Sequence, residues 1–169
     1  MKAIVAVDKN WGIGKDNDLL FSIPLDMAFF REQTRGKIVV MGSKTLKSFP
    51  NSQPLKNRIN IVFHRGNDAY DGAIVVKDLA ELSEVLKNYN LDDVFVIGGG
   101  SIYKLLLEYC SEALITKVEA DGDATVFFPN LDENKDWVLT KTSKKQESNG
   151  YTFKFTTYKN NNIKTLRQL

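Results

Sequence analysis

Short apolar runs rich in β-branched residues recur along the chain, and they constrain the fold more than any other feature. Nearly every residue within a run is apolar, and helical or turn-rich stretches separate the runs. Strands that are buried on both faces, as in a parallel sheet covered by helices, have this pattern. The runs predict six strands, at residues 3–7, 37–41, 59–63, 73–76, 94–97 and 113–118.

Three of the intervening stretches predict helices. Pro24 stands at or near the first position of a predicted helix over residues 25–34, where its missing N–H costs nothing. Asp78 is a suitable N-cap for a second helix, whose apolar residues recur at helical spacing from Leu79 to Leu86. A third helix is predicted over residues 101–107.

The end of the chain has a different pattern. Residues 137–142 and 151–158 alternate between polar and apolar, with a turn at 148–150 that predicts an antiparallel hairpin. A polar tail is expected over 159–169. The predicted architecture is one domain over 1–158, a three-layer αβα fold whose mixed, mostly parallel sheet of eight strands ends in this hairpin.

Composition excludes several functional classes. A net charge of +2 is too small to indicate nucleic acid or membrane partners, and no apolar run approaches the roughly 18 residues that span a bilayer. Asp8 interrupts the first apolar run too early for a signal peptide, and Cys110, the only cysteine, is expected to be a buried apolar residue. The chain is therefore expected to be cytoplasmic. We also expect a monomer that acts on a small molecule and has no metal site.

Two strand-to-helix junctions are candidates for phosphate binding. Three glycines at 98–100 follow a predicted strand and lead into a helix, whose first amides could bind a diphosphate. A purely structural tight turn would also explain them, and their spacing differs from the G-x-G-x-x-G fingerprint of dinucleotide-binding folds. The second junction, at 40–45, again combines glycine, hydroxyls and a cation, and His64 and Arg65 follow another strand.

Asp26 is the candidate functional carboxylate. It lies in the first turn of the helix that begins near Pro24 and shares a helix face with Phe29 and Phe30. An aspartate at this position is by default a cap or a partner of the helix dipole, but the apolar neighbours favour a ligand-binding role. Burial would raise its pKa and the helix N-terminus would lower it, and the sequence leaves that balance open.

The candidate residues fall in segments that resemble the dihydrofolate reductase family, in its bacterial, single-domain form. The resemblance extends through about Tyr158 and keeps the family's order and spacing. The segments that carry it are Ile13-Gly14-Lys15, Ile23-Pro24-Leu25-Asp26-Met27, Val40-Met41-Gly42-Ser43-Lys44-Thr45, Pro54-Leu55-Lys56-Asn57-Arg58, 97–103, Thr116 and Phe127-Phe128-Pro129.

The resemblance implies a site for dihydrofolate. Asp26 would bind the 2-amino group and N3 of the pterin with support from Thr116, and Arg58 would bind the α-carboxylate of the glutamate tail. Leu19 and Phe21 would complete the catalytic region. The other residues implied to contact substrate are Ile4, Val5, Ala6, Met27, Phe30, Phe49, Leu55, Ile97 and Tyr103.

The resemblance implies NADPH as the cofactor. Its nicotinamide would lie near Ala6, Ile13, Gly14 and Tyr103, and its 2′-phosphate near Lys44, His64 and Arg65. The complete implied set adds Gly42, Ser43, Thr45, Phe63, Lys77, Gly98, Gly99, Gly100, Ser101 and Ile102. The family also has a cis peptide bond between paired glycines, which would fall between Gly98 and Gly99.

The implied reaction is hydride transfer from nicotinamide C4 to pterin C6, with protonation of N5 through water, in tetrahydrofolate biosynthesis. Residues 11–18 would form a mobile lid, and antifolates would be inhibitors. Leu20-Phe21 replaces the Pro-Trp pair that is usual in the family, and Ser43 replaces a frequent arginine. The contacts of residues 121–125 cannot be assigned from the resemblance.

Three alternatives compete with this interpretation. A pyrimidine reductase of riboflavin synthesis shares the fold and NADPH, but Asp26 and Arg58 argue against it. A non-catalytic NADPH- or folate-binding module has only Phe21 as sequence support. A flavodoxin-like binder explains neither Asp26 nor the paired junctions.

Overall fold

The computed structural model describes residues 1–166, and twelve strands and four α-helices lie in this part of the chain. The helices are α1 (Pro24–Thr34), α2 (Ser43–Ser48), α3 (Leu79–Leu86) and α4 (Gly100–Leu106). The strands are β1 (Lys2–Val7), β2 (Gly12–Lys15), β3 (Asp18–Leu19), β4 (Ile38–Gly42), β5 (Ile59–Phe63), β6 (Ala73–Val76), β7 (Val94–Gly98), β8 (Glu112–Val118), β9 (Val126–Phe127), β10 (Trp137–Thr142), β11 (Gln146–Ser148) and β12 (Tyr151–Asn160).

The main sheet has the predicted architecture. Eight strands follow the order β10-β12-β8-β1-β7-β4-β5-β6, and the short β11 pairs with β12 as a ninth. From β8 to β6 every neighbouring pair is parallel, whereas β12 pairs antiparallel with β8, β10 and β11. The predicted fold class, an α/β domain with a mixed, mostly parallel sheet, is confirmed.

Each face of the sheet carries its own apolar core because side chains alternate along every strand. On one face, Val40 and Val96 belong to a buried cluster with residues of α3 and α4. On the other face, Val39 and Met41 pack in a cluster that includes Leu46 of α2 and the phenylalanines of α1. Helices therefore cover both faces, which explains why the strands are apolar at almost every position.

Helices α1 and α3 begin where the sequence predicts. Pro24 is the first residue of α1, and the side chain of Asp78 accepts a hydrogen bond from the backbone N–H of Glu81 at the start of α3. Helix α4 begins at Gly100, one residue before the predicted start, and a 3₁₀ turn at Leu107–Tyr109 follows it.

The C-terminal hairpin differs from the prediction in its connection. The turn at 148–150 joins β11 to β12, and β10 pairs farther along β12, from Thr142 opposite Thr156 to Trp137 opposite Asn160. Strand β12 is ten residues long, so it has room for both partners. It continues two residues beyond the predicted end at Tyr158.

Part of the predicted polar tail is bound to the domain. Asn160 is buried and donates through Nδ2 to the carbonyl oxygen of Cys110 at 3.0 Å. Lys164 forms an ion pair with Glu108 at 2.8 Å. The remainder of that prediction, over 167–169, lies outside the described residues.

A second, three-stranded sheet was not predicted. It has the order β3-β2-β9 and is antiparallel throughout, so the segment expected to be a lid is held by β9, more than 100 residues away in sequence. Its strands are only two to four residues long, and β2 contains two glycines, which hides the usual alternation.

Within residues 1–166 no helix has both the length and the apolar character to span a bilayer. The same part of the chain holds no group of three or more His, Cys, Asp and Glu side chains arranged to bind a metal ion.

Candidate active site

A single cleft of about 1930 Å³ runs along the carboxyl ends of the parallel strands. Its wall takes Ala6 from β1, Gly98 from β7, Gly42 from β4 and Phe63 from β5. Thr116 of β8 lies beyond one end, and Lys77 follows β6 at the other. The five neighbouring strands from β1 to β6 have four spacings between them, so the cleft extends over about 19 Å. This length suits two ligands placed end to end.

Asp26 is held at one end of the cleft by β8, a strand that lies about ninety residues later in the sequence. The hydroxyl of Thr116, which is buried in β8, donates to Oδ1 of Asp26 at 2.6 Å. The N-cap position of α1 is Ile23, and no side chain caps this helix end. Asp26 is therefore not a helix cap, although it lies in the first turn of α1, and its carboxylate accepts a hydrogen bond from β8.

Burial decides the ionisation of Asp26. Loss of solvent raises the pKa of the carboxyl above its ordinary value, and the hydrogen bond from Thr116 partly opposes this rise. Among the described residues no basic side chain forms an ion pair with Asp26. A ligand that donates hydrogen bonds from a cationic or amidine-like edge would supply the missing partner.

Thr116→Val is expected to raise the pKa of Asp26 further, because valine keeps the volume of threonine but cannot donate to the carboxylate. Carbon-13 NMR titration of the Asp26 carboxyl measures this directly. Thr156→Val is the matched control, since its hydroxyl donates to the carbonyl oxygen of Ile115 at 2.6 Å and makes no bond to Asp26. An unchanged or lower pKa in Thr116→Val would contradict the assigned contact.

Arg58 lies in the same cleft and is fixed against the end of α1. Its Nε donates to Oγ1 of Thr34 at 2.9 Å, and its guanidinium lies 5.8 Å from the ring centroid of Phe30. Partial desolvation and the neighbouring Arg35 and Arg31 lower its pKa. No carboxylate of residues 1–166 forms an ion pair with Arg58, and its guanidinium lies beside two other arginines.

The glycine-rich turn lies in the middle of the cleft. The Gly98–Gly99 peptide bond is cis, as the family resemblance implied, and Gly98 has φ +127°, a conformation that favours glycine. The buried hydroxyl of Tyr103 donates to the carbonyl oxygen of Ile4 at 2.7 Å, which ties α4 to β1 beneath the turn. Strands β1 and β7 and the start of α4 therefore meet at this turn.

Cations cluster where β4, β5 and β6 end. Lys44 and Arg65 are exposed, and no acidic side chain of residues 1–166 forms an ion pair with either of them. His64 differs, since its Nε2 lies 2.9 Å from Oδ2 of Asp68 and its ring packs edge-on against Tyr70. Lys77 also lines this end, so the cleft offers several positive groups to an anionic ligand.

The residues between β3 and α1 join the hairpin turn to the cleft. Phe21 lines the cleft and packs against Tyr151, with ring centroids 4.9 Å apart. Nδ2 of Asn149 donates to the carbonyl oxygen of Ser22 at 2.7 Å. The Phe21 ring therefore packs against another aromatic ring, and it has no hydrogen bond donor to offer to the cleft.

The structure brings the residues of the sequence-based site together on one surface. Thr116 reaches the cleft through Asp26, and Leu19 lies at the rim with 78% of its surface exposed. The others that line the cleft are Ile4, Val5, Ala6, Ile13, Gly14, Phe21, Asp26, Met27, Phe30, Gly42, Ser43, Lys44, Thr45, Phe49, Leu55, Arg58, Phe63, His64, Arg65, Lys77, Ile97, Gly98, Gly99, Gly100, Ser101, Ile102 and Tyr103.

Several lining residues were missed by sequence reasoning. Arg31 lies one helical turn after Met27, so its spacing on α1 could have placed it beside the substrate residues. Leu79 and Ala80 begin α3 at the end of the cleft, and no local motif marks them. Val126 comes from β9, which the sequence did not predict at all.

The chain is similar to known proteins over nearly its whole length. The family model described as Dihydrofolate reductase matches residues 1–160. The chain belongs to the dihydrofolate reductase family. It is 35% identical over 162 residues to a dihydrofolate reductase of Bacillus subtilis (strain 168), covering 94% of each chain.

Other dihydrofolate reductases have similar levels of identity. The Haemophilus influenzae protein is 36% identical over 153 residues, which is 90% of this chain and 93% of the relative. The Sus scrofa protein is 33% identical over 184 residues, covering 96% and 98%. The similarity therefore spans full-length relatives and includes both the Asp26 end and the cation-rich end of the cleft.

Proposed function

We propose that this member of the dihydrofolate reductase family reduces 7,8-dihydrofolate to 5,6,7,8-tetrahydrofolate with NADPH. The observation that carries the proposal is the Asp26–Thr116 pair, a carboxylate without a cationic partner among residues 1–166, at one end of a cleft that runs past a glycine-rich turn to unpaired cations. A pterin bound beside NADPH requires a carboxylate for the pterin, a turn that binds the diphosphate and cations at the far end of the cleft.

The pterin is proposed to bind against Asp26. The 2-amino group and N3 of the ring are adjacent donors, and a carboxylate accepts both in one plane. Thr116 fixes the carboxylate orientation through its 2.6 Å hydrogen bond, and Phe30 and Met27 supply apolar contacts to the ring and the aminobenzoyl group. Such hydrogen bonds are stronger in a half-buried pocket than in bulk water, because the local dielectric constant is lower.

The glutamate tail is proposed to bind Arg58. The guanidinium already uses Nε for Thr34, which orients its planar fork, and Phe30 packs against it. A fork held in this way pairs with a carboxylate through two parallel hydrogen bonds. Arg31 and Arg35 add positive charge around it.

NADPH is proposed to occupy the rest of the cleft. The residues fit it, because the volume is sufficient and Lys44 and Arg65 form no ion pair within the described residues. Gly98 to Ile102 and Gly42 to Thr45 would hold the diphosphate, and Ile13 and Gly14 would hold the nicotinamide. When bound, NADPH supplies the hydride that reduces the pteridine ring.

The contribution of the protein is proposed to be alignment and exclusion of water. Asp26 and Arg58 hold both ends of the substrate, and Ile13 and Gly14 cover the reacting face, so that the two rings meet in a productive geometry. Asp26 polarises the pterin, and a water molecule delivers the proton to N5. We further propose that the enzyme acts as a cytoplasmic monomer, in line with a single cysteine, Cys110, that is buried.

Lys44→Ala and Arg65→Ala are each expected to raise KM for NADPH about tenfold, because each removes a charge-assisted contact to the 2′-phosphate. KM for NADH, which lacks that phosphate, should stay within about twofold. Steady-state kinetics with both cofactors measures the ratio.

Lys47→Ala is a matched control, since Lys47 is exposed on α2 and does not line the cleft. Equal losses with NADPH and NADH in the Lys44 and Arg65 variants would contradict the proposed phosphate site.

A further inference from the structure

Asp8 is a buried carboxylate that the proposed reaction does not use. It follows β1 directly and is only 3% exposed. Its Oδ1 accepts the backbone N–H groups of Asn10 at 2.8 Å and of Gly12 at 2.7 Å, and its Oδ2 accepts that of Gly122 at 3.0 Å. No basic side chain of residues 1–166 forms an ion pair with it, so three backbone amides compensate its charge.

The first two of these bonds fix a tight turn between β1 and β2. The backbone N–H of Asp8 donates to the carbonyl oxygen of Gly12 at 2.9 Å, and that of Trp11 donates to the carbonyl oxygen of Asp8 at 3.0 Å. Trp11 has φ +65°, an uncommon conformation for a bulky residue that the surrounding structure must hold. A Cβ at Gly12 would lie 2.8 and 2.9 Å from the carboxylate oxygens, so the backbone passes directly over Asp8.

The third bond connects this turn to the segment that leads into β9. Gly122 lies four residues before β9, and β9 pairs with β2 from Gly12 opposite Phe127 to Gly14 opposite Val126. The backbone N–H of Thr125 also donates to the carbonyl oxygen of Gly14 at 2.9 Å. The Asp8 side chain therefore anchors two of the three strands of the small sheet, β2 and β9, near their starts.

We infer that Asp8 is a positioning residue, which sets the direction of β2 and thereby places Ile13 and Gly14 over the nicotinamide end of the cleft. This inference rests on the proposed function. Ile13 and Gly14 line the cleft and stand one and two residues after Gly12, whose N–H the carboxylate accepts. Asp8 itself does not line the cleft and acts through the backbone of β2.

The turn has a second set of contacts, which we expect to keep the fold intact when Asp8 is changed. The ring of Trp11 is buried, its centroid lies 6.2 Å from that of Phe128, and Nζ of Lys117 lies 5.0 Å from the Trp11 centroid. The backbone N–H of Phe128 donates to the carbonyl oxygen of Trp11 at 2.8 Å. These contacts do not involve the Asp8 carboxylate.

Asp8→Asn tests the inference selectively. The amide oxygen can still accept from Asn10 and Gly12, but the NH₂ group then faces the N–H of Gly122, donor against donor. We expect the single-turnover rate of hydride transfer to fall about tenfold, because misalignment of the rings slows the chemical step. The Kd for adenosine 2′,5′-bisphosphate, which lacks the nicotinamide, should stay within about twofold.

Asp71→Asn is the control for charge, since Asp71 is exposed and does not line the cleft. If Asp8→Asn weakened the bisphosphate fragment as much as it slowed hydride transfer, Asp8 would be a general stability residue and the inference would fail. A wild-type rate in Asp8→Asn would also overturn it. Absence of turnover in the wild-type protein would instead count against the proposed function.

Amide hydrogen exchange in the wild-type protein tests the hydrogen bonds to Asp8 independently of any substitution. The N–H groups of Gly12 and Gly122 should exchange much more slowly than that of Asn17, which lies in the exposed turn between β2 and β3. Exchange of Gly122 as fast as that of Asn17 would show that the link to Asp8 is not maintained in solution, and would overturn the inference even if Asp8→Asn did not fold.

Discussion

Asp26→Asn is expected to lower kcat/KM for dihydrofolate about a hundredfold, the largest effect of any single substitution in the cleft. Asparagine keeps the shape but replaces an anionic acceptor, which would bind two pterin donors, with one neutral acceptor and one donor. Loss of a charge-assisted pair in a half-buried site costs about 3 kcal/mol, which is about a hundredfold in rate. Steady-state kinetics with saturating NADPH measures it.

The same substitution should stabilise the folded protein near neutral pH. Burial raises the pKa of Asp26 above its value in the unfolded chain. Ionisation of the carboxylate therefore lowers the free energy of unfolding once the pH exceeds the raised pKa. The gain in Tm for Asp26→Asn should therefore be full at pH values above the raised pKa and should vanish as the pH falls below the ordinary value of 3.8. A loss of activity that came with lower stability would mean that the variant is simply misfolded.

Arg58→Gln is expected to raise KM for dihydrofolate about thirtyfold with little change in kcat. The substitution removes the planar fork that would pair with the glutamate carboxylate, at a cost of about 2 kcal/mol, and the reacting ring stays anchored by Asp26. The measurement is steady-state kinetics over a wide range of dihydrofolate concentrations.

Dihydropteroate, which lacks the glutamate tail, separates this role from a structural one. Its KM should be nearly equal in the wild type and in Arg58→Gln, because the missing contact is absent in both. Arg58→Lys should behave much like Arg58→Gln with dihydrofolate, since an ammonium group cannot form the two parallel bonds. If dihydropteroate lost as much affinity as dihydrofolate, Arg58 would support the fold of the pocket and would not bind the tail.

The buried strands could be predicted almost to the residue. The run at 59–63 coincides with β5, and the run at 94–97 ends one residue before β7 does, because strands covered on both faces must be apolar at nearly every position. The run at 73–76 coincides with β6, an edge strand that is only partly buried. The sheet of β3, β2 and β9 could not be predicted in the same way. Its strands are very short, and their pairing joins residues near Gly14 to Val126, a long-range contact with no local signal.

The position of the site could be predicted more fully than its electrostatics. Local sequence placed Asp26 on a helix with apolar neighbours, but its ionisation depends on burial by the whole fold and on Thr116, ninety residues away. Asp8 had no signal at all, since in the sequence it only ends an apolar run. Its partner Gly12 is only four residues away, but Gly122, which is 114 residues away, becomes a neighbour only through tertiary structure.

The most direct test of the account is oxidation of NADPH by the purified wild-type protein, followed by the loss of nicotinamide absorbance, with and without dihydrofolate and with NADH in parallel. The account predicts turnover that requires dihydrofolate, produces tetrahydrofolate and is faster with NADPH than with NADH at equal, subsaturating concentration. Tight binding of NADPH without dihydrofolate-dependent oxidation would contradict it.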